Sequence, residues 1–286
     1  MIRVIDTYDK LNTLFENGAF QRGRWENYIN EIYSDSAKMF LEDVEEYTKG
    51  GEYTFEKDFL PILNEVYQNP KLELLHASFL RVTKGMNERV KECFGRELQV
   101  DVVLYLGLCN GAGWVTEING RTTVLLGVEK ILELSWYDID SMRGLIYHEL
   151  GHVYQMQYGV LEQESFDHRK KFVWQLFVEG IAMYFEQVLV GDKNYFHQDA
   201  EGWKQWCEEH YPQIKADFHN DLQTMNRRNQ RYFGDWVSYH GKSDVGYYLG
   251  TRFVHSLLKK ATLDELINYE IDAVWELYKT FIQNEE

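Results

Sequence analysis

The chain has 286 residues, with 30 Lys and Arg against 46 Asp and Glu, a formal net charge of −16 and a pI near 5.0. That length supports one large domain or two smaller ones with a real core, and 44% apolar with 27% charged residues is the composition of an ordinary globular protein. The acidity argues against nucleic acid and against an anionic membrane surface as partners, because both are bound through basic faces.

Cys93, Cys109 and Cys207 are too scattered for a disulfide framework or a CxxC metal site. No basic-then-apolar leader opens the sequence, and no run approaches the ~18 apolar residues of a membrane span. A cytoplasmic protein is the expectation. Only 3 prolines stand beside 8 Trp, 20 Tyr and 16 Phe, which suggests mostly helix with large side chains between the helices.

No internal repeat, low-complexity tract or Pro/Gly/Ser-rich linker divides the chain. The first third reads as helical. Met39, Phe40, Val44 and Tyr47 share a stripe within 35–47, stopped by Lys49-Gly50-Gly51, and 55–67 repeats the pattern. Pro70 then opens a long stretch carrying Leu72, Leu75, Phe79 and Val82, which ends near Gly95.

The period changes after that. Residues 100–106 (VDVVLYL), 114–118 (WVTEI) and 121–126 (RTTVLL) are rich in β-branched and aromatic residues. Asn119-Gly120 between the last two is a hairpin signal, because both turn positions want positive φ. A small antiparallel sheet is expected over 99–127.

Helical patterns resume over 141–158, 167–190, 198–222, 245–259 and 263–283, the last opened by a capping-box spelling at Thr262-Leu263-Asp264-Glu265. The expected fold class is α+β, mainly α-helical. An N-terminal helical region, 1–97, is expected to pack on a core region, 98–286.

His148-Glu149-Leu150-Gly151-His152 is an HExxH string inside a helical run. At ~100° per residue the two histidines lie ~40° apart and one turn up, so both imidazoles can converge on one ion. Glu149 falls on the same side, where a carboxylate reaches a metal-bound water without being a ligand. Ile146, Leu150 and Val153 give the helix an apolar face on its other side. With 9 His in the chain, accident yields roughly 0.03 such strings. The motif therefore predicts a zinc site.

Catalytic zinc needs a third protein ligand and one open position. The metzincin extension is excluded, because Gln155 and Tyr158 stand where its Gly and His belong. In the next helix, Phe177-Val178-Glu179-Gly180-Ile181-Ala182 resembles the gluzincin metallopeptidases, in which a glutamate on a following helix, often in an EG-x-A context, completes the site. The run Gly246-Tyr247-Tyr248-Leu249-Gly250 extends the likeness to a group of zinc-dependent proteases of uncharacterised substrate, where HExxH, EG-x-A and a G-Y-x-x-G helix follow in that order. The resemblance covers roughly 100–258.

That resemblance implies a zincin-like core with zinc on His148, His152 and Glu179. It also implies Glu149 as general base, hydrolysis of a peptide or related amide bond, and a peptide or protein substrate. Tyr247, then Tyr248 and His240, are the candidates to stabilise an oxyanion. Read without it, Glu179 is a solvated helix carboxylate, though its neighbours are apolar. His168, Glu164, Glu186 and Asp244 are the other possible ligands, and both tyrosines serve equally as core residues beside glycines that let helices approach.

Two departures stand out. No GAMEN-type exopeptidase strand is present, since the hairpin reads Asn110-Gly111-Ala112-Gly113-Trp114. Some gluzincins also place an Asp four residues after the ligand glutamate to orient a histidine, and that position holds Met183. Another acceptor must orient His148 or His152.

Arg227, Arg228 and Arg231 form one basic cluster, read as a solvated loop ahead of a clamp for a substrate carboxylate. Cys109 reads as a buried thiol, and His76, His219 and His255 as structural. The rival functional class is a zinc-containing binding or regulatory protein on a zincin fold. Glu149, dispensable for metal binding, favours the enzyme.

Overall fold

A computed structural model describes residues 1–284, which form a mainly helical protein with two small sheets. The chain divides into two compact units, 1–149 and 150–286, and the division falls inside one continuous helix.

The first unit opens with strand β1 (Ile2–Asp6). A short hairpin follows, β2 (Phe15–Glu16) and β3 (Ala19–Phe20), turned by Asn17 and Gly18 at φ 51° and 82°. Helices α1 (Arg22–Ile32) and α2 (Ala37–Thr48) come next. Over 55–67 the expected helix is a π-helical turn at Phe55–Phe59 running into α3 (Leu60–Asn64), which carries Pro61 in its first turn. The long stretch after Pro70 breaks into α4 (Leu72–Thr83) and α5 (Met86–Phe94), because Gly85 takes φ 85° between them.

Strands β4 (Val100–Tyr105), β5 (Gly113–Ile118) and β6 (Arg121–Gly127) follow, then α6 (Val128–Glu133) and the start of α7 (Ile139–Tyr158). The sheet order is β1-β4-β6-β5. It is mixed rather than antiparallel: β4 pairs in parallel with both β1 and β6, and only β5–β6 is antiparallel. After β4 the chain crosses to the outer edge and lays down β5. It turns back at Asn119-Gly120 (φ 51° and 73°), so β6 returns beside β4 in the same direction.

Strand β4 is buried along its whole length, as an inner strand of parallel pairs must be. Its one charge, Asp101, is bracketed by Arg3 from β1 and Arg121 from β6, with Tyr33 donating to it at 2.9 Å. The region 1–97 is therefore neither purely helical nor separable at 97/98. β1 hydrogen-bonds to β4 across that point, and Trp25 Nε1 donates to the Leu106 carbonyl at 2.8 Å.

The second unit is helical. Helix α8 (His168–Val190) starts at Asp167, whose side chain accepts from the Arg169 N–H, and stops at Gly191 with φ 86°. The expected helix over 198–222 is two, α9 (Trp203–Glu209) and α10 (Tyr211–Asp221), with Pro212 in the first turn of α10. Helix α11 (Val245–Leu257) is followed by α12 (Leu263–Leu266), which has the expected Thr262/Glu265 capping box, and by α13 (Ile271–Gln283).

Helix α8 is the hub. A Cβ on Gly180 would sit 2.3 Å from the Gly250 carbonyl oxygen, and one on Gly250 would sit 2.4 Å from that of Leu176. The α8–α11 crossing therefore requires both glycines. Phe177 and Phe253 pack beside it with ring centroids 6.3 Å apart. Among the described residues α8 alone has the length and apolarity of a membrane span, and 67% of that window is buried inside the protein. That burial accounts for its composition.

Candidate metal centre

Helix α7 carries the HExxH residues, and its single uninterrupted run fixes His148 one turn before His152. On α8, Glu179 reaches them: one donor atom each from His148, His152 and Glu179 lie within 4.8 Å of one another. His152 Nε2 is 3.4 Å from Glu179 Oε2, and these two side chains keep 13% and 15% exposure. His148 is buried. The group is closed on the His148 side and open to solvent at the other two donors.

Small residues in both motifs explain the approach of the helices. A Cβ on Gly151 would lie 2.8 Å from Ala182 Cα and 3.2 Å from its carbonyl oxygen. Ala182 and Gly180 are ~160° apart on the α8 wheel. One therefore faces α7 and the other faces α11, while Glu179 shares the α7 side. Gly180 and Ala182 of the EG-x-A string thus have separate packing reasons.

Glu149 is 5% exposed, and it lies against strand β5. A Cβ on Gly113, the first residue of β5, would stand 2.6 Å from Glu149 Oε1 and 2.8 Å from its Cγ. Motif reading passed over this contact of Gly113. Its only sequence signal is a glycine at the start of a strand, which marks a close approach.

The loop that delivers Gly113 is anchored by Glu129. The N–H groups of Gly107 and Cys109 donate to its two carboxylate oxygens at 2.8 and 3.0 Å. Burial pushes the Glu129 carboxyl up to about 7, against the lowering effect of those donors. Asn110 Nδ2 donates to Asp43 Oδ2 at 2.8 Å, and Gly127 N–H to the Ala112 carbonyl at 3.0 Å. Cys109 is buried within this anchor.

The other sequence candidates lie as follows. Tyr248 is buried in an aromatic cluster with Phe196, Trp203 and Tyr211, and burial pushes its hydroxyl up to about 12. Tyr247 is half-buried near Phe233, and His240 is exposed in the tight turn Tyr239–Lys242 at φ 50°. Glu164 is exposed and paired with Lys171 at 2.8 Å. His168 Nε2 is 3.0 Å from the Leu222 carbonyl, and Asp244 Oδ1 accepts from the Gly234 N–H at 2.9 Å.

Glu186 lies near His148 and His197, whose donor atoms and its own fall within 4.8 Å of one another. Arg227 and Arg228 are exposed, while Arg231 donates to Asp221 and lies over the Tyr239 ring. His76 stacks on Tyr8, His219 lies beside Tyr278, and His255 Nε2 is 2.9 Å from Gln187 Oε1.

No protein-family model, curated protein or solved structure matches this chain. The functional reading therefore rests on the site's own chemistry.

Proposed function

We propose that this protein is a zinc-dependent metallopeptidase, of the gluzincin kind, which hydrolyses peptide or related amide bonds. The observation that carries the reading is the meeting of His148, His152 and Glu179 on two helices, with Glu149 beside them and outside the donor set. The donors suit zinc: two imidazoles and one carboxylate, with a side left open. They lack the six or more oxygens that calcium takes and the thiolates that draw softer ions. Zinc bound there supplies a Lewis acid and a water of lowered pKa.

The rest is the work of the chain's own groups. Glu149, held against Gly113, takes up a proton on its carboxylate and returns it to the leaving amine. Strand β5 is an edge of its sheet and begins at Gly113. An extended peptide added along β5 passes the Glu149 carboxylate, and main-chain hydrogen bonds hold it there. Tyr247 and His240 are the retained candidates for an oxyanion donor, since Tyr248 is engaged in the aromatic cluster. A cytoplasmic setting belongs to the same reading.

The test is metal analysis together with digestion of a peptide library with and without chelator. The expected result is one zinc per chain, cleavage abolished by chelator, and loss of zinc in Glu179→Ala. Full zinc retention in Glu179→Ala would move the third ligand elsewhere. Stoichiometric zinc with no cleavage of any peptide would support the binding-protein class instead.

A further inference from the structure

We infer that Glu186 and His197 are a positioning pair for His148, replacing the carboxylate that position 183 does not supply. The inference rests on the metal reading above. Glu186 lies seven residues after Glu179 on α8, ~10.5 Å along the axis and ~20° off in azimuth, so it shares the face that meets α7. The α7–α8 pairs run antiparallel: His152 meets Glu179, Gly151 meets Ala182, and His148 meets Glu186. Met183, four residues after Glu179, is buried and offers only a thioether.

Glu186 is completely buried, and His148 and His197 are nearly so. A buried carboxylate requires hydrogen-bond donors, and the segment after α8 returns to provide them. The His197 backbone N–H donates to Glu186 Oε1 at 3.2 Å, and its ring Nδ1 lies 2.9 Å from Oε2. His197 thus grips both oxygens and fixes the carboxylate's rotation. Glu186 in turn faces His148, whose own donor atom falls within the same 4.8 Å group. A carboxylate held beside a metal-bound imidazole helps to set its tautomer and ring orientation and raises its basicity. The same three side chains also resemble a second metal site. The His197 grip on both Glu186 oxygens and the burial of all three side chains favour a positioned carboxylate over a second metal ligand.

The test measures zinc affinity by chelator competition and the visible absorption of the cobalt-substituted protein, for wild type, Glu186→Gln, His197→Ala and His197→Asn. Thermal melts of the metal-free forms identify any variant that fails to fold. Glu186→Gln is expected to weaken zinc binding roughly 10- to 100-fold and to shift the cobalt bands.

His197→Ala leaves the α8 sequence unchanged, so it serves where Glu186→Gln does not fold; it is expected to weaken binding in the same direction. His197→Asn, whose amide nitrogen replaces Nδ1, is expected to restore wild-type affinity and bands. Folded variants with unchanged affinity and cobalt spectrum would overturn the positioning role while leaving the zinc site intact. Two zinc ions per wild-type chain would overturn it in favour of a second metal site. A wild type that binds no zinc would remove the metal reading itself.

Discussion

Gly151→Ala tests whether the close approach of α7 and α8 builds the metal site. The added methyl carbon would lie 2.8 Å from Ala182 Cα, 3.0 Å from Phe185 Cβ and 3.2 Å from the Ala182 carbonyl oxygen. Carbon atoms in contact prefer about 3.5–4.0 Å, so the helices must separate by about 1 Å. Overpacking of this kind costs about 1–3 kcal/mol.

The effect on metal is the sharper one. His152 follows Gly151 directly, Glu179 lies one turn before Ala182, and metal–ligand distances tolerate only about 0.2 Å. An opening of about 1 Å exceeds that tolerance about fivefold. Zinc affinity is expected to fall at least about tenfold, equivalent to about 1.4 kcal/mol, with a melting temperature lower by several degrees. Competition titration with a chromophoric chelator and thermal denaturation measure the two effects. Gly23→Ala is the control, since its Cβ would meet nothing within 4 Å, and it should change neither. Wild-type affinity and melting in Gly151→Ala would refute the packing argument.

Two further variants probe strand β5, which faces Glu149, and the Glu129 anchor of the loop before it. Gly113→Ala places a methyl 2.6 Å from Glu149 Oε1; peptide cleavage should drop about 100-fold or more while bound zinc stays at the wild-type level, the order lost when one positioned catalytic proton-transfer group is displaced. Equal cleavage by the variant would show that the carboxylate has room to spare.

Glu129→Gln tests the buried anchor by chemical denaturation across pH. The Glu129 carboxyl is raised from 4.5 to about 7 in the folded protein, so the native state holds its proton where the unfolded chain has lost it. Its contribution to stability is complete below about 4.5 and lost as pH rises to about 7, on the order of 3 kcal/mol in all. Wild-type stability should therefore decline relative to the variant over that window. A constant difference between the two would rule out a proton on Glu129.

Helices α7 and α8 were legible because their signals are local. HExxH places three side chains within five consecutive residues, and the 3.6-residue period fixes their directions. The Asn119-Gly120 turn was legible for a similar reason, since positive φ at both positions is a property of the dipeptide. The same dipeptide at 17–18 turns the β2–β3 hairpin, where two-residue strands leave no alternation to read.

Strand β1 escaped because its evidence is distant. Its parallel partner begins 98 residues on, as the pairing of Ile2 with Val100 shows, and no local pattern encodes that. Glu186 was only a reserve ligand in the sequence. Its relation to His197 depends on the turn at Gly191 and the path of the following segment. Gly113 was visible as a glycine, but its use depends on how Glu149 lies against β5. Gly180 was visible within the EG-x-A string, but its neighbour is Gly250 of α11, a contact fixed by tertiary structure.

The proposed function has Glu149 perform chemistry at a metal that it does not bind. Zinc content and peptide hydrolysis, measured together on wild type and Glu149→Gln, test it most directly. About one zinc per chain is expected in both proteins, with chelator-sensitive hydrolysis in the wild type alone. A wild type without zinc, or a Glu149→Gln protein that hydrolyses peptides at the wild-type rate, would contradict it.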